Sequence, residues 1–177
     1  MTAGAGAGVM AGAAAGTADR AAAGPAAGPA AGAVAGAKGE KGRPVPVLFV
    51  DDNPWFLRVA CEILGEGEPA FEVHTASTGA EALAFLIRAG DAETRPRPRF
   101  VVLDFHLPDM NAPAVLRALD GHPDLRAIPV LVLSAADWSE DEAATKAAGA
   151  RRFVVKPSRV GPLRDVMLEF WKECEGA

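Results

Sequence analysis

Phe100 to Asn111 reads FVVLDFHLPDMN, and the rest of the chain is ordered around it. Phe100, Val101, Val102 and Leu103 form an unbroken apolar run that leads straight into Asp104. Such a run predicts a strand buried on both faces, as in a parallel sheet with helices on either side. Asp104 then falls at the carboxyl end of the strand, where open α/β sheets bind their ligands. Pro108 stiffens the loop behind it. A strand-end Asp is also ordinary turn chemistry, so this segment alone does not separate a site from a loop cap.

Outward from this strand the pattern alternates. Val45 to Val50 is an apolar run ending in Asp51-Asp52. Asn53-Pro54 supplies a cap and a first-turn proline for a helix bearing Phe56, Val59, Ala60, Ile63 and Leu64, which Gly65 and Gly67 end. Phe71, Val73 and His74 mark a second strand. Thr78 and Glu81 have capping-box spacing ahead of Leu83, Leu86 and Ile87. After Asn111 come a helix over Val115, Leu116 and Leu119, and a break at Gly121-His122-Pro123. Pro129 then opens a strand from Val130 to Leu133, ending in Ser134. Ser139 and Glu142 repeat the capping-box spacing before an Ala-rich helix that Gly149 ends. Phe153 to Val155 leads into Lys156-Pro157, and a last helix aligns Leu163, Val166, Met167, Phe170 and Trp171. Five strand–helix alternations predict a doubly wound parallel sheet with right-handed crossovers. The expected architecture is a flavodoxin-like (βα)5 sheet in the order 2-1-3-4-5.

Three other strand ends carry residues able to work with Asp104: Asp51-Asp52, Ser134 and Lys156. In a parallel sheet these ends share one edge, which makes the combination far more specific than any member. Carboxylates crowded together repel, and a divalent cation removes that cost. Mg²⁺ favours oxygen ligands and keeps several waters. Asp52, Asp104 and a backbone carbonyl near His106 can supply the protein share, with Asp51 acting through water. Asp104 is then placed as a nucleophile toward a phosphoryl group, giving an acyl phosphate. Lys156 would neutralise the transferring oxygens, and the Ser134 hydroxyl would donate to the bound group.

From about Pro46 to Trp171 the chain resembles the receiver domains of two-component response regulators. The resemblance rests on Val50-Asp51-Asp52, Leu103-Asp104 with Leu107-Pro108, Leu133-Ser134-Ala135, and Phe153 with Lys156-Pro157. It implies that a sensor histidine kinase or His-phosphotransfer protein phosphorylates Asp104. It implies Mg²⁺ on Asp51, Asp52, Asp104 and the His106 carbonyl. It makes Ser134 and Phe153 the switch, Phe153 turning inward and reshaping the face of the fourth helix, fifth strand and fifth helix. It also makes Lys156–Pro157 a candidate cis bond. His106 and Ala136 stand where the family tunes phosphoryl lifetime. The chain departs from the family at Ala112, where glycine is common; Asn111 before it tolerates the left-handed conformation. The last helix, with Phe170-Trp171, is similar to that of the stand-alone phytochrome-linked response regulators and leaves room for a homodimer face.

Composition sets the frame. The 177 residues have room for about one domain. Residues 1–44, mostly Ala and Gly with a few prolines and charges, have too few large apolar side chains to build a core and are expected to be a disordered tail, leaving 45–177 as the receiver domain. That tail is a poor signal peptide or membrane span. The chain's two cysteines, Cys61 and Cys174, form no metal or redox motif and fit a reducing, cytoplasmic setting. The net charge of −5 gives no reason to expect nucleic acid. His74 and His122 read as a strand residue and a loop residue with no catalytic role expected, and Arg95 to Arg99 reads as a solvated loop. No output domain is expected after Trp171, so the output would run through protein contact with a downstream target or through phosphoryl relay to another His protein. The expected protein is not a turnover enzyme; at most it would dephosphorylate itself slowly. A phosphorylation-independent interaction module on the same fold is the alternative. A phosphohydrolase of the haloacid dehalogenase type would want a second Asp where His106 stands.

Overall fold

The computed structural model describes residues 43–89, 97–135, 139–157, 159 and 161–176. Apart from the exposed Arg43 and Pro44, the expected tail lies outside these residues, as do Arg95 and Ala136. The elements run β1 (Val45–Val50), α1 (Pro54–Gly65), β2 (Phe71–Ala76), α2 (Gly79–Arg88), β3 (Phe100–Asp104), α3 (Ala112–Asp120), β4 (Val130–Ser134), α4 (Ser139–Ala147), β5 (Arg152–Val155) and α5 (Gly161–Glu175). The strands form one parallel sheet in the order β2-β1-β3-β4-β5. No helix among the described residues is long and apolar enough to cross a membrane.

Strand alternation divides the core in two. Leu48, Val50, Val101, Leu103, Val130 and Val132 face α2 and α3, where Phe85, Leu86, Val115, Leu116 and Leu119 meet them. Val47, Phe49, Phe100, Val102, Leu131 and Leu133 face α1 and α5. β3 and β4 are buried along their whole length, which is why their sequences show no polar alternation. Leu163, Met167 and Phe170 of α5 are fully buried, each such side chain contributing roughly 1.5–3 kcal/mol. The Phe170 ring lies edge-on to Phe100 at 5.3 Å between centroids. Val166 and Trp171 are only partly buried on the same helix.

Local chemistry explains the helix starts. Asn53 caps α1, its side-chain oxygen accepting the Trp55 and Phe56 N–H groups. Thr78 caps α2 by accepting the Glu81 N–H at 3.0 Å. The reciprocal half of the expected box is different: Glu81 accepts the N–H and hydroxyl of Ser77 instead.

Asp104 is the last residue of β3, at the carboxyl end where it was expected. Three local expectations change. Asn111 is extended, not left-handed, with φ −90° and ψ 164°, and caps α3 through the Ala114 N–H, so Ala112 fits at the helix start without a glycine. Ser139 is the first residue of α4, not its cap. Among the described residues the cis peptide is Glu68–Pro69, and Lys156–Pro157 is trans; the two isomers of an X–Pro bond differ by only about 0.5–1 kcal/mol, so local sequence does not choose between them.

Candidate functional site

The sheet's hydrogen-bond ladder runs one residue past several strands and carries the site with it. The Asp51 N–H donates to the Ala76 carbonyl beyond β1. The Phe105 N–H donates to Leu133 at 2.8 Å, and the Lys156 N–H to the Ser134 carbonyl at 2.6 Å. Asp51, Asp104 and Lys156 are therefore fixed by backbone pairing at one edge of the sheet, while Asp52 extends from it into solvent.

Asp51, Asp52 and Asp104 each place a carboxylate oxygen within 4.8 Å of the others. Asp51 is wholly buried and accepts the Asn53 N–H at 3.0 Å. The Lys156 ammonium donates to Asp51 and, at 3.3 Å, to Asp104. It also lies over the Phe56 ring, 4.3 Å from the centroid, a cation–π contact that helps to hold it in place. Burial is the main influence on Asp104 and pushes its carboxyl above the ordinary range. The Lys156 charge opposes this, the Asp51 charge adds to it, and hydrogen bonds from Lys156 and the Phe105 N–H pull downward without reversing it.

Three carboxylates and one ammonium carry a formal −2 when all are ionised (three negative, one positive). An all-oxygen donor set of that spacing fits a hard divalent cation, whose ligand oxygens lie at about 2.0–2.6 Å from the ion. It offers no thiolate or imidazole for a softer metal.

Ser134 is buried one residue beyond Leu133, the register partner of Asp104. Phe153 is not at the carboxylates. On β5, three residues before Lys156, it pairs in register with Val132 of β4 and is half-buried against the α2/α3 side of the core. The His106 side chain is exposed, and its backbone forms a bridge with Asn111 that closes the loop after Asp104. His74 stays out of the site, on β2 against Phe85, 3.5 Å from Glu72. A groove of about 560 Å³ lined by Arg97, Arg99, Arg151 and Trp171 lies beside the start of β3, at the opposite edge of the sheet.

Two participants were not legible in the sequence. Phe56 reads there as part of the apolar face of α1, yet its ring lies beneath the Lys156 ammonium. Asp109 carries no role there, yet both its oxygens accept backbone N–H groups of α2, from Gly79 and Ala80, each at 2.9 Å.

Residues 47–167 match the response regulator receiver domain. Response regulator Rcp1 of Synechocystis is 29% identical over 137 residues, 76% of this chain and 93% of that protein. The probable transcriptional regulatory protein TcrX of Mycobacterium tuberculosis is 39% identical over 117 residues, 66% of this chain but 45% of that longer protein. Among solved structures, the phosphorylated cyanobacterial phytochrome response regulator RcpA superposes with a TM-score of 0.64 at 28% identity, covering 73% of this chain and 95% of that one. The Mn²⁺-bound form of Rcp1 gives 0.62 at 29% identity, covering 72% and 94%.

Proposed function

We propose, on the premise that this chain belongs to the response regulator receiver family, that it accepts a phosphoryl group on Asp104 and signals through protein contact. The observation that carries the reading is Asp104 at the sheet edge with Asp51, Asp52 and Lys156 gathered around it. The donor would be a phosphohistidine of a sensor kinase or phosphotransfer protein. An Asp104 oxygen forms the new bond to phosphorus as the P–N bond to the imidazole breaks, and the freed imidazole takes a proton. Asp104 must be ionised to attack, which the Lys156 ammonium favours against the effect of burial. Lys156 also stands where it can pair with the transferred oxygens. A divalent cation such as Mg²⁺, held by Asp51, Asp52, Asp104 and the His106 carbonyl, would supply further positive charge against those oxygens.

Ser134, buried beside β3, would donate its hydroxyl to the phosphoryl group. Phe153 would turn into the space this releases, changing the surface of α4, β5 and α5, where Val155 is 43% exposed. Contacts that exist only with the phosphoryl group present would supply the free energy for the shift. Hydrolysis of the acyl phosphate would be slow, so the protein acts as a timed switch and not as a turnover enzyme. A downstream protein, or a second copy of the chain along α5, would read the changed face.

The test is incubation of the full chain with a small phosphodonor and Mg²⁺, read by intact mass. A gain of one phosphoryl group that is lost in Asp104→Asn supports the reading. No gain in the wild-type chain overturns it and leaves a phosphorylation-independent module, whose partner binding would survive Asp104→Ala.

A further inference from the structure

We infer that Asp109 is a positioning residue, tying the loop that carries the His106 carbonyl to the first turn of α2 and so holding the metal-binding edge in register. The inference rests on the receiver reading above.

The α2 helix begins with N–H groups that have no partner within the helix. Thr78, the local cap, satisfies one, at Glu81. Asp109, some 30 residues away in sequence, satisfies two more, one with each carboxylate oxygen: Gly79 to Oδ1 and Ala80 to Oδ2. The carboxylate is thus clamped in two directions and cannot swing about one bond.

The next residue adds a steric lock. A Cβ on Gly79 would fall 2.5 Å from Met110 Cγ and 2.6 Å from its sulfur. The Met110 side chain therefore occupies the space that any other residue at 79 would fill. Loop and helix approach this closely because position 79 is glycine.

The loop itself is internally closed. The Ala112 N–H donates to Phe105 O at 3.0 Å, the Leu107 N–H to Met110 O at 3.3 Å, and His106 bridges Asn111. Asn111 caps α3. A loop closed in this way moves as a unit. One of its ends is Asp104, and its side-chain anchor to the neighbouring helix is Asp109. If that anchor is released, the His106 carbonyl loses its fixed position relative to the carboxylates. Groups that orient a ligand are commonly worth roughly tenfold or more in metal affinity.

The test uses the full chain, with Mn²⁺ as probe and its affinity read by electron paramagnetic resonance. Amide exchange at Gly79 and Ala80 is followed in parallel. Asp109 is exposed, so its variants leave no cavity. Asp109→Asn should weaken Mn²⁺ roughly tenfold and speed exchange at both amides. Asp109→Glu keeps the charge but not the two-point geometry, and should be nearly as weak. Thr78→Ala loosens α2 without touching the loop, and should leave affinity within about twofold of the wild type, well short of an orienting effect. Wild-type affinity in Asp109→Asn overturns the inference. So does full recovery in Asp109→Glu, which would mean charge acting through space, or an equal loss in Thr78→Ala, which would mean general loosening of α2. A wild-type chain that binds no Mn²⁺ overturns the function proposed above and this inference with it.

Discussion

The Lys156 ammonium lies 3.3 Å from the Asp104 carboxylate and at the same time donates to Asp51, so one cation serves two acids from different strands. Lys156 keeps 17% of its side chain exposed, whereas Asp51 keeps none. Lys156→Met removes the charge but keeps most of the apolar stem, leaving a buried carboxylate without its partner. We expect a loss of about 3 kcal/mol in stability at neutral pH, at the low end for a broken buried pair because the lysine is partly solvated. Excess Mg²⁺ should restore most of that loss, since the three acids remain. Urea unfolding with and without Mg²⁺ measures it. Equal stabilisation of variant and wild type by Mg²⁺ would mean that lysine and metal do not answer the same charge.

Asp104→Asn should stabilise the metal-free protein at neutral pH. Burial raises the folded-state pKa of Asp104, so its contribution to stability is fully present below the ordinary carboxylate value and is lost as pH rises through the raised one. At neutral pH the wild type therefore carries a penalty that the amide removes, on the order of 1 kcal/mol, as at other sites where function opposes stability. The gain should shrink as pH falls through the raised value toward the ordinary carboxylate range, as the wild-type acid takes up its proton. Thermal melts of both proteins across that range give the sign. A variant less stable than wild type at neutral pH contradicts it.

Metal affinity should be more acid-sensitive than ordinary carboxylates would make it. A proton on Asp104 competes directly with the cation, and that proton binds at higher pH than it would on an exposed Asp. Affinity for Mn²⁺ should begin to fall while pH is still above about 4, and Asp104→Asn should flatten this dependence. A wild-type profile that stays level down to the ordinary carboxylate range would place the proton elsewhere.

Strand periodicity and strand-end chemistry are local signals, and parallel pairing turns them into a site. Asp51, Asp104, Ser134 and Lys156 each end an apolar run, so the topology alone brings them to one edge. Contacts made by loops after folding have no such rule. Nothing in the sequence links Asp109 to Gly79, or Phe56 to Lys156, because those distances depend on where the loop and α1 come to rest. Asn111 shows the same limit at short range. Its identity allows both a left-handed turn and an extended cap, and the need to satisfy the Ala114 N–H decides for the cap. Glu81 had the spacing of a capping box, yet the Ser77 N–H and hydroxyl, within its reach, take its carboxylate.

The Gly79–Met110 contact makes a prediction that separates steric fit from backbone freedom. Gly79→Ala introduces a methyl group where Met110 Cγ and sulfur already lie, and should destabilise by about 1–3 kcal/mol, the usual range for overpacking. Gly79 is not among the glycines with positive φ, so the backbone can accept alanine, and in the first turn of a helix alanine is intrinsically favoured. The penalty must then come from the side chains the methyl meets, Met110 first and Val115 Cγ2, at 3.0 Å, second. Met110→Ala alone should cost about 1 kcal/mol, as expected for trimming a partly buried side chain. In the double variant the new methyl occupies space that the thioether has left. The two costs should therefore fail to add by 1 kcal/mol or more, roughly the coupling seen between residues in contact. Urea midpoints of the four proteins close the cycle. Additive costs would show that Met110 moves aside freely and that the close approach of loop and helix rests on the Asp109 hydrogen bonds alone.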